Sequence, residues 1–468
     1  MVKNVDVHGG TVWTIAWWSF KVLLKFVSNI IITRLLSPDM FGIAAIGNTL
    51  INGIGMLSDF GIQQNIVRSS RSDDIYYQTA WTIQLLRGLV LTVIIVLLAK
   101  PFAWFYKVDG LDTFLLIVAA SNFALGINNI ESLRDYRHAI LRKVAILDII
   151  GAVIGLGAMV LWAWLRPSYV ALAVGSLVST LVFTLGTYVA YSRHNCRLRL
   201  DKEAMADLVS FGKWVLISTI LYFATMQMDR LALGKLVSMQ VLGLYSLAWV
   251  WASVPNEILE QWANRVFFPL VSQYIRNETA METIWAARRL YIMIAATAAI
   301  VMYAVSDILV ALLYTSEYQG ISLFIRQLSI VFLLYTIEHS YSHVLVAQGR
   351  LKEKIIGQIL SLILFAVALL PVFYWFGIVG VIALLAITSG MRTMWMAYKL
   401  FSSKLSELRF DVIIVGMYFP FAMFLHALVG AYNTRWYQGS TALVAGAVAL
   451  VIALIAYRRL RRICETVL

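Results

Sequence analysis

Long apolar runs separated by short polar segments fill this chain from end to end. Crossing a bilayer as a helix takes about 20 mainly apolar residues, and about fourteen such runs can be placed. The first six lie near 12–36, 40–67, 76–100, 111–131, 144–165 and 168–191. The next six lie near 207–235, 240–272, 286–313, 320–347, 355–376 and 378–400, with the last two divided around Phe376. Two more follow at 410–431 and 438–457. The pattern predicts an all-α polytopic membrane protein. The first run is too long for the apolar core of a cleaved signal and has no small-residue cleavage site after it, so it is read as a retained helix.

Composition agrees with this. Of 468 residues, 61% are hydrophobic and 13% charged, so lipid is the solvent for most of the chain. The net charge of +13 matters through its distribution. With the N-terminus inside, the inward segments collect about 24 basic residues, among them Arg134, Arg142, Lys143, Arg197, Arg288, Arg289, Arg350 and the run Arg458, Arg459, Arg461, Arg462. The outward ones hold about six: Arg34, Lys100, Lys107, Arg166, Lys235 and Arg435. This asymmetry predicts cytoplasmic N- and C-termini and supports the helix count, since one missed helix would scramble the alternation.

The corner "TRLLSPDMFG" after the first run is echoed by "GKLVSMQVLG" after the seventh. Arg34 falls on Lys235, Ser37 on Ser238 and Gly42 on Gly243, all at one offset of 201 positions. An even number of helices separates the two, so both corners face the same side, as in a parallel repeat. The reading is two pseudo-symmetric six-helix lobes, 1–195 and 196–405, followed by two further helices and a basic tail, 406–468. At the corner, Pro38 suits the first turn of a helix, and Gly42 and Gly243 would let the second helix approach a neighbour closely.

Charges inside the runs are the candidate chemistry. A charge at the bilayer centre costs about 2.5–3.5 kcal/mol on insertion scales and normally faces water or a partner. Lys21 and Lys25 are four apart and share one face near the middle of the first run; Arg87 sits near the middle of the third. Against these three cations the first half offers mainly Asp59, which predicts an anion-binding cavity. Arg265 is the proposed partner from the second half. Asp59, Asp229, Arg230, Glu257 and Glu338 are candidates for gating or coupling; for Asp229, Arg230, Glu257 and Arg265, gating or structural ion pairing is at least as good a reading as ligand binding, and Glu338 could relay protons with His339 and His343. Glu257, Gln261 and Arg265 repeat every four residues. Arg326, near the outer surface, is expected to snorkel. Trp17, Trp18, Tyr222 and Tyr245 could line a wet passage, although packing suits them as well.

Other functions find little support. There is no phosphate-cradling G-x-x-x-x-G-K-[ST] run, no histidine, cysteine or carboxylate cluster for a metal, and the two cysteines, Cys196 and Cys464, are far apart. No enzyme activity, cofactor or nucleic-acid partner is expected. The longest outward segment, around Pro101 to Gly110, leaves little room for a catalytic platform.

Three stretches resemble the polysaccharide transporter family, the Wzx-type flippases of the multidrug/oligosaccharidyl-lipid/polysaccharide exporter superfamily: "RLLSPDMFGIAAIGNTLINGIGMLSDFGIQQNIVR", "MDRLALGKLVSMQVLGLYSLAWVWASVP" and "RVFFPLVSQ". The resemblance implies two six-helix lobes plus two helices, alternating access, and a bacterial inner-membrane location. It implies an undecaprenyl-diphosphate-linked oligosaccharide as substrate, in making exopolysaccharide, capsule or O-antigen. Membrane lipids, pathway polymerase and chain-length proteins, and a coupling proton or sodium ion are the implied partners. A drug exporter of the same superfamily is a rival, disfavoured because most drug substrates are cations. A membrane-embedded polysaccharide polymerase or ligase is another, disfavoured by the short outer loops.

Overall fold

The computed structural model describes residues 7–56, 58, 62–69, 73–137, 142–191, 196–276, 281–401 and 405–431, and these form helices and connecting turns without a strand. Six membrane-type helices come first: α1 (Val7–Ile32), α2 (Pro38–Met56), α3 (Asp74–Tyr106), α4 (Leu111–Gly126), α5 (Arg142–Leu165) and α6 (Val170–Ala190). Then follow α7 (Lys202–Leu236), α8 (Met239–Trp262), α9 (Met281–Leu313) and α10 (Ile321–Ala347). The segment Leu351–Phe401 holds two helices, α11 (351–376) and α12 (378–401), parted at Gly377, and α13 (Leu408–Ala431) is the last. The expected run at 438–457 lies outside the described residues.

Local chemistry sets the boundaries. Pro38 starts α2, where its missing N–H is no loss, and Asp39 places a carboxylate in the positive first turn. Asp73 and Asp201 cap α3 and α7, their side chains accepting from the Tyr76 and Ala204 amides at 3.2 and 2.9 Å. Gly377 has φ 60° and ψ −151°, a conformation open to glycine and strained for any side chain, so the α11–α12 break falls there.

Among the described residues, α3, α5, α6, α9, α10, the Leu351–Phe401 pair and α13 are long and apolar enough to cross a bilayer. The 16-residue α4 is apolar but short.

Packing divides the chain into two units, Met1–Gly243 and Leu244–Leu468. In the first, α5 packs on α6, α3 on α4, α4 on α6 and α1 on α5. The helix α7, counted with the second lobe on the repeat reading, packs here on α2 and α3. The repeat concerns sequence equivalence, whereas this grouping reflects contact. In the second unit, α9 packs on α10 and α13, and α10 on the Leu351–Phe401 segment. Its core stacks Tyr291 between Trp262 and Phe267, with ring centroids 5.5 and 6.4 Å apart.

The two corners meet inside the first unit. A methyl group added to Gly42 would run into the Met239 carbonyl, and one added to Gly243 into the Pro38 carbonyl. Met239 is the 201-offset counterpart of Pro38, so each corner presents its glycine to the equivalent backbone of the other.

Candidate functional site

Two helices of the first unit stop early. With 19 and 16 residues, α2 and α4 reach only about 28 and 24 Å, short of the roughly 30 Å hydrocarbon core. Their final carbonyls lack intrahelical partners, and α3 supplies them. Arg87 Nη2 donates to the Gly55 carbonyl at 2.9 Å and Nε to Ser58 Oγ at 3.1 Å. Ser58 Oγ in turn donates to the Gly55 carbonyl at 2.8 Å. Nearly one turn earlier, Gln84 Nε2 donates to the Leu125 and Gly126 carbonyls at 3.1 and 3.3 Å. Arg87 therefore caps a negative helix end, where a cation is favoured. The close approach needs small residues: a Cβ on Gly88 would lie 2.8 Å from Gly126 Cα.

Around these caps lies a cavity of about 320 Å³ lined by Arg87, Gln63, Gln84, Asn122 and Asn128, with Leu91 and Leu133 among its apolar members. Amides both donate and accept, so the lining suits hydroxyl groups or water, with one cation at hand.

On α1, Trp17, Lys21 and Lys25 follow one another at helical spacing. Lys21 Nζ is 2.8 Å from Asp148 Oδ2 on α5, and Trp17 Nε1 donates to the same oxygen at 2.7 Å. The expected main counter-ion, Asp59, lies outside the described residues. Asp148 pairs with Lys21 because α1 packs along α5. The pair is not sealed off: the Lys21 side chain is 48% exposed. Lys25, one turn on, is half-buried, and its carbonyl accepts from Ser28 Oγ and Asn29 Nδ2 at 2.9 and 2.7 Å. Lys21 and Arg87 thus have different anchors, α5 for one and the end of α2 for the other. In α7, Asp229 is buried and Arg230 Nη1 donates to Gln227 Oε1 at 2.6 Å.

In the second unit, the every-fourth-residue stripe is interrupted. A π-helical segment, Ala263–Phe267, follows α8, and Arg265 sits within it, exposed, with Gln261 exposed and Glu257 half-buried before it. Tyr245 is fully buried against Trp249 and Phe324, a packing role. Glu338 sits in an enclosed ion pair. Arg392 donates from Nε and Nη2 to its two oxygens, both at 2.7 Å, and Ser389 Oγ adds a bond at 2.9 Å. This is a bidentate pair buried between α10 and α12.

Arg288, counted above among loop cations, is fully buried. Its Nη2 lies 2.8 Å from Asp411 on α13, its Nε donates to Ser340 Oγ at 3.2 Å, and Tyr341 donates to the same Asp411 oxygen at 2.6 Å. Nothing in the local sequence marks it, because its partner lies 123 positions away.

Relatives supply what geometry alone leaves open. Residues 31–323, more than half of the chain, match the family described as polysaccharide biosynthesis protein. The chain belongs to the polysaccharide biosynthesis protein family. It is similar to the lipopolysaccharide biosynthesis protein WzxC of Escherichia coli (strain K12), 22% identical over 417 residues, covering 87% of this chain and 83% of that one. It is also similar to the succinoglycan biosynthesis transport protein ExoT of Rhizobium meliloti (strain 1021), 26% identical over 255 residues, covering 54% of this chain and 51% of that one. Its fold is similar to that of a solved structure described as lipid II flippase MurJ, inward closed conformation, with TM-score 0.73 and 13% identity, covering 96% of this chain and 99% of that chain. This family member is therefore an all-helical polytopic membrane protein with a transporter fold, in keeping with the resemblance drawn from its corners.

Proposed function

We propose that the protein is a flippase that moves an undecaprenyl-diphosphate-linked oligosaccharide across the bacterial inner membrane by alternating access, in polysaccharide biosynthesis. It acts as a transporter and not as an enzyme, with both termini in the cytoplasm. Its lobes are 1–195 and 196–405, with 406–468 as an addition. One observation carries the reading: Lys21 stands half-exposed at the middle of a membrane-length helix, one turn from Lys25. Such a lysine is tolerated where it meets water or an anion.

The diphosphate is the most charged part of the carrier, and ionised donors bind it strongly where the dielectric is low. Lys21, Lys25 and Arg87 are its contacts, with Arg265 as the partner from the second lobe. Asp148 holds Lys21 until the diphosphate competes for it. The amide-lined cavity beside Arg87 suits the first sugar, and the prenyl chain stays in lipid. Asp59, Asp229, Arg230, Glu257 and Glu338 remain the charged groups for gating or coupling by protons or sodium, and the pathway's polymerase and chain-length proteins take the product.

The test is export in cells. Lys25→Ala and Arg87→Ala should each abolish export at unchanged membrane levels, since each lost charge-assisted bond costs about 1.5–3 kcal/mol. Lys25→Arg should retain part, because a guanidinium also binds phosphate. Full export by the double variant Lys21→Ala with Lys25→Ala would place the substrate's charge elsewhere and sink this site.

A further inference from the structure

The second unit holds a charged cluster that the flippase reading does not use. Asp307 is on α9, Arg326 on α10 and His426 on α13. Each lies within about two turns of the helix end that the charge alternation assigns to the outside. Arg326 Nη2 is 3.4 Å from Asp307 Oδ1, and Arg326 Nη1 is 3.0 Å from His426 Nε2. The same imidazole nitrogen is 3.6 Å from Asp307 Oδ2. Arg326 therefore does more than snorkel: it bridges a carboxylate and an imidazole. Its Nε is buried without a hydrogen-bond partner, as is Gln327 Oε1 beside it.

A cavity of about 320 Å³ adjoins this cluster, with Arg326 and Gln327 in its lining. The remaining wall is largely apolar, with Leu323 and Ile330 from α10, Val379 and Ile382 from α12, and Phe419 from α13. Leu323, Val379 and Phe419 are also exposed, so the cavity opens through apolar surface on a membrane-spanning unit. An arginine at one end of an apolar, lipid-side cavity matches a ligand with an anionic head and a hydrocarbon chain.

The protonation state of His426 decides how far Arg326 is neutralised. With neutral imidazole, Nε2 accepts from Arg326 Nη1 and the proton sits on Nδ1. Arg326 and Asp307 then cancel. With imidazolium, Nε2 becomes a donor facing another donor, and its nearest acceptor is Asp307 Oδ2. Asp307 then turns from the guanidinium to the imidazolium, the cluster gains one positive charge, and Arg326 is released toward the cavity. Of the groups facing His426, Asp307 favours the imidazolium and Arg326 opposes it until it turns away, and Nδ1 is buried without a hydrogen-bond partner. From α9 come Asp307 and Tyr303, whose ring lies edge-on at 5.7 Å, and from α10 comes Arg326. The α12 residues of the cavity wall, Val379, Ile382 and Ala383, carry no charge. On α13 itself, Tyr418 packs on Tyr303 at 6.4 Å.

We propose that Arg326, controlled by His426 and Asp307, binds the phosphodiester head of an anionic outer-leaflet lipid, and that acidification strengthens this binding. The site is built from second-unit residues alone, shares none with the Lys21–Lys25–Arg87 constellation, and does not depend on which substrate is flipped.

The test titrates the full-length protein in zwitterionic micelles with short-chain phosphatidylglycerol, whose single charge is constant with pH. The measurements are made at about pH 5.5 and about pH 8. Binding should be about tenfold tighter at the lower pH, the loss of one charge-assisted contact accounting for the difference. Arg326→Gln should remove the effect. Asp307→Asn, which frees Arg326 permanently, should bind at the higher pH as tightly as the unaltered protein does at the lower. That variant keeps the test decisive if Arg326→Gln fails to fold. Equal binding at both pH values, or weak binding by Asp307→Asn, would overturn the proposal. Inorganic phosphate that bound as well as the lipid would overturn the lipid assignment.

Discussion

Glu338 and Lys21 are both membrane-embedded charges with a partner, yet their surroundings separate them. Lys21 meets one carboxylate and stays half-exposed. Glu338 is enclosed, with both oxygens bonded to Arg392, and Arg392 Nη1 donates onward to Ser361 Oγ at 3.1 Å. Removing one member of an enclosed pair leaves a buried charge and costs about 3–5 kcal/mol, whereas replacing both is often close to neutral. Arg392→Met alone should therefore lower the thermal midpoint and the membrane level, and adding Glu338→Gln should restore most of both. A stable, abundant Arg392→Met protein that fails in export would instead make the pair part of coupling. At this scale the sequence reveals which charges are costly but not who neutralises them. Trp17 and Asp148 are 131 positions apart, and Arg392 and Glu338 54 apart, distances over which no local pattern operates.

The helices were far more legible than the pairs, because length and apolarity are local properties. Even the α11–α12 division near Phe376 falls at the adjacent Gly377. What hydropathy could not show is where helices end inside an apolar run. The run at 40–67 reads as one helix, but α2 stops at Met56 and a short helix, Ile62–Arg68, follows. The freed carbonyls meet side chains of another helix, Arg87 among them, and no local pattern announces that. The glycine pair was legible as a close approach but not as a mutual one. Gly42→Val and Gly243→Val should each force the two corners apart at a cost of about 1–3 kcal/mol and impair export. Gly157→Ala, in open space on α5, should be tolerated. Normal export by both valine variants would show that the corner contact is dispensable to the transport cycle.

Orientation is a property of the whole molecule, set by the sum of its basic loops. Cysteines placed at Asp73 and Gly349 should label from the cytoplasm only, and one at Asp109 from outside only. Outside labelling at Gly349 would break the alternation on which the helix count rests. The family and fold reach a membrane protein of polysaccharide biosynthesis; the remaining step is that lipid-linked sugar crosses the bilayer through it. The direct measurement uses proteoliposomes of purified protein loaded with a fluorescent polyprenyl-diphosphate oligosaccharide, quenched from outside by a membrane-impermeant reductant. The account predicts that quenching proceeds past the outer-leaflet fraction toward completion, and that Lys25→Ala and Arg87→Ala stop it at that fraction. Quenching by the unaltered, correctly folded protein that halts where protein-free liposomes halt would contradict it.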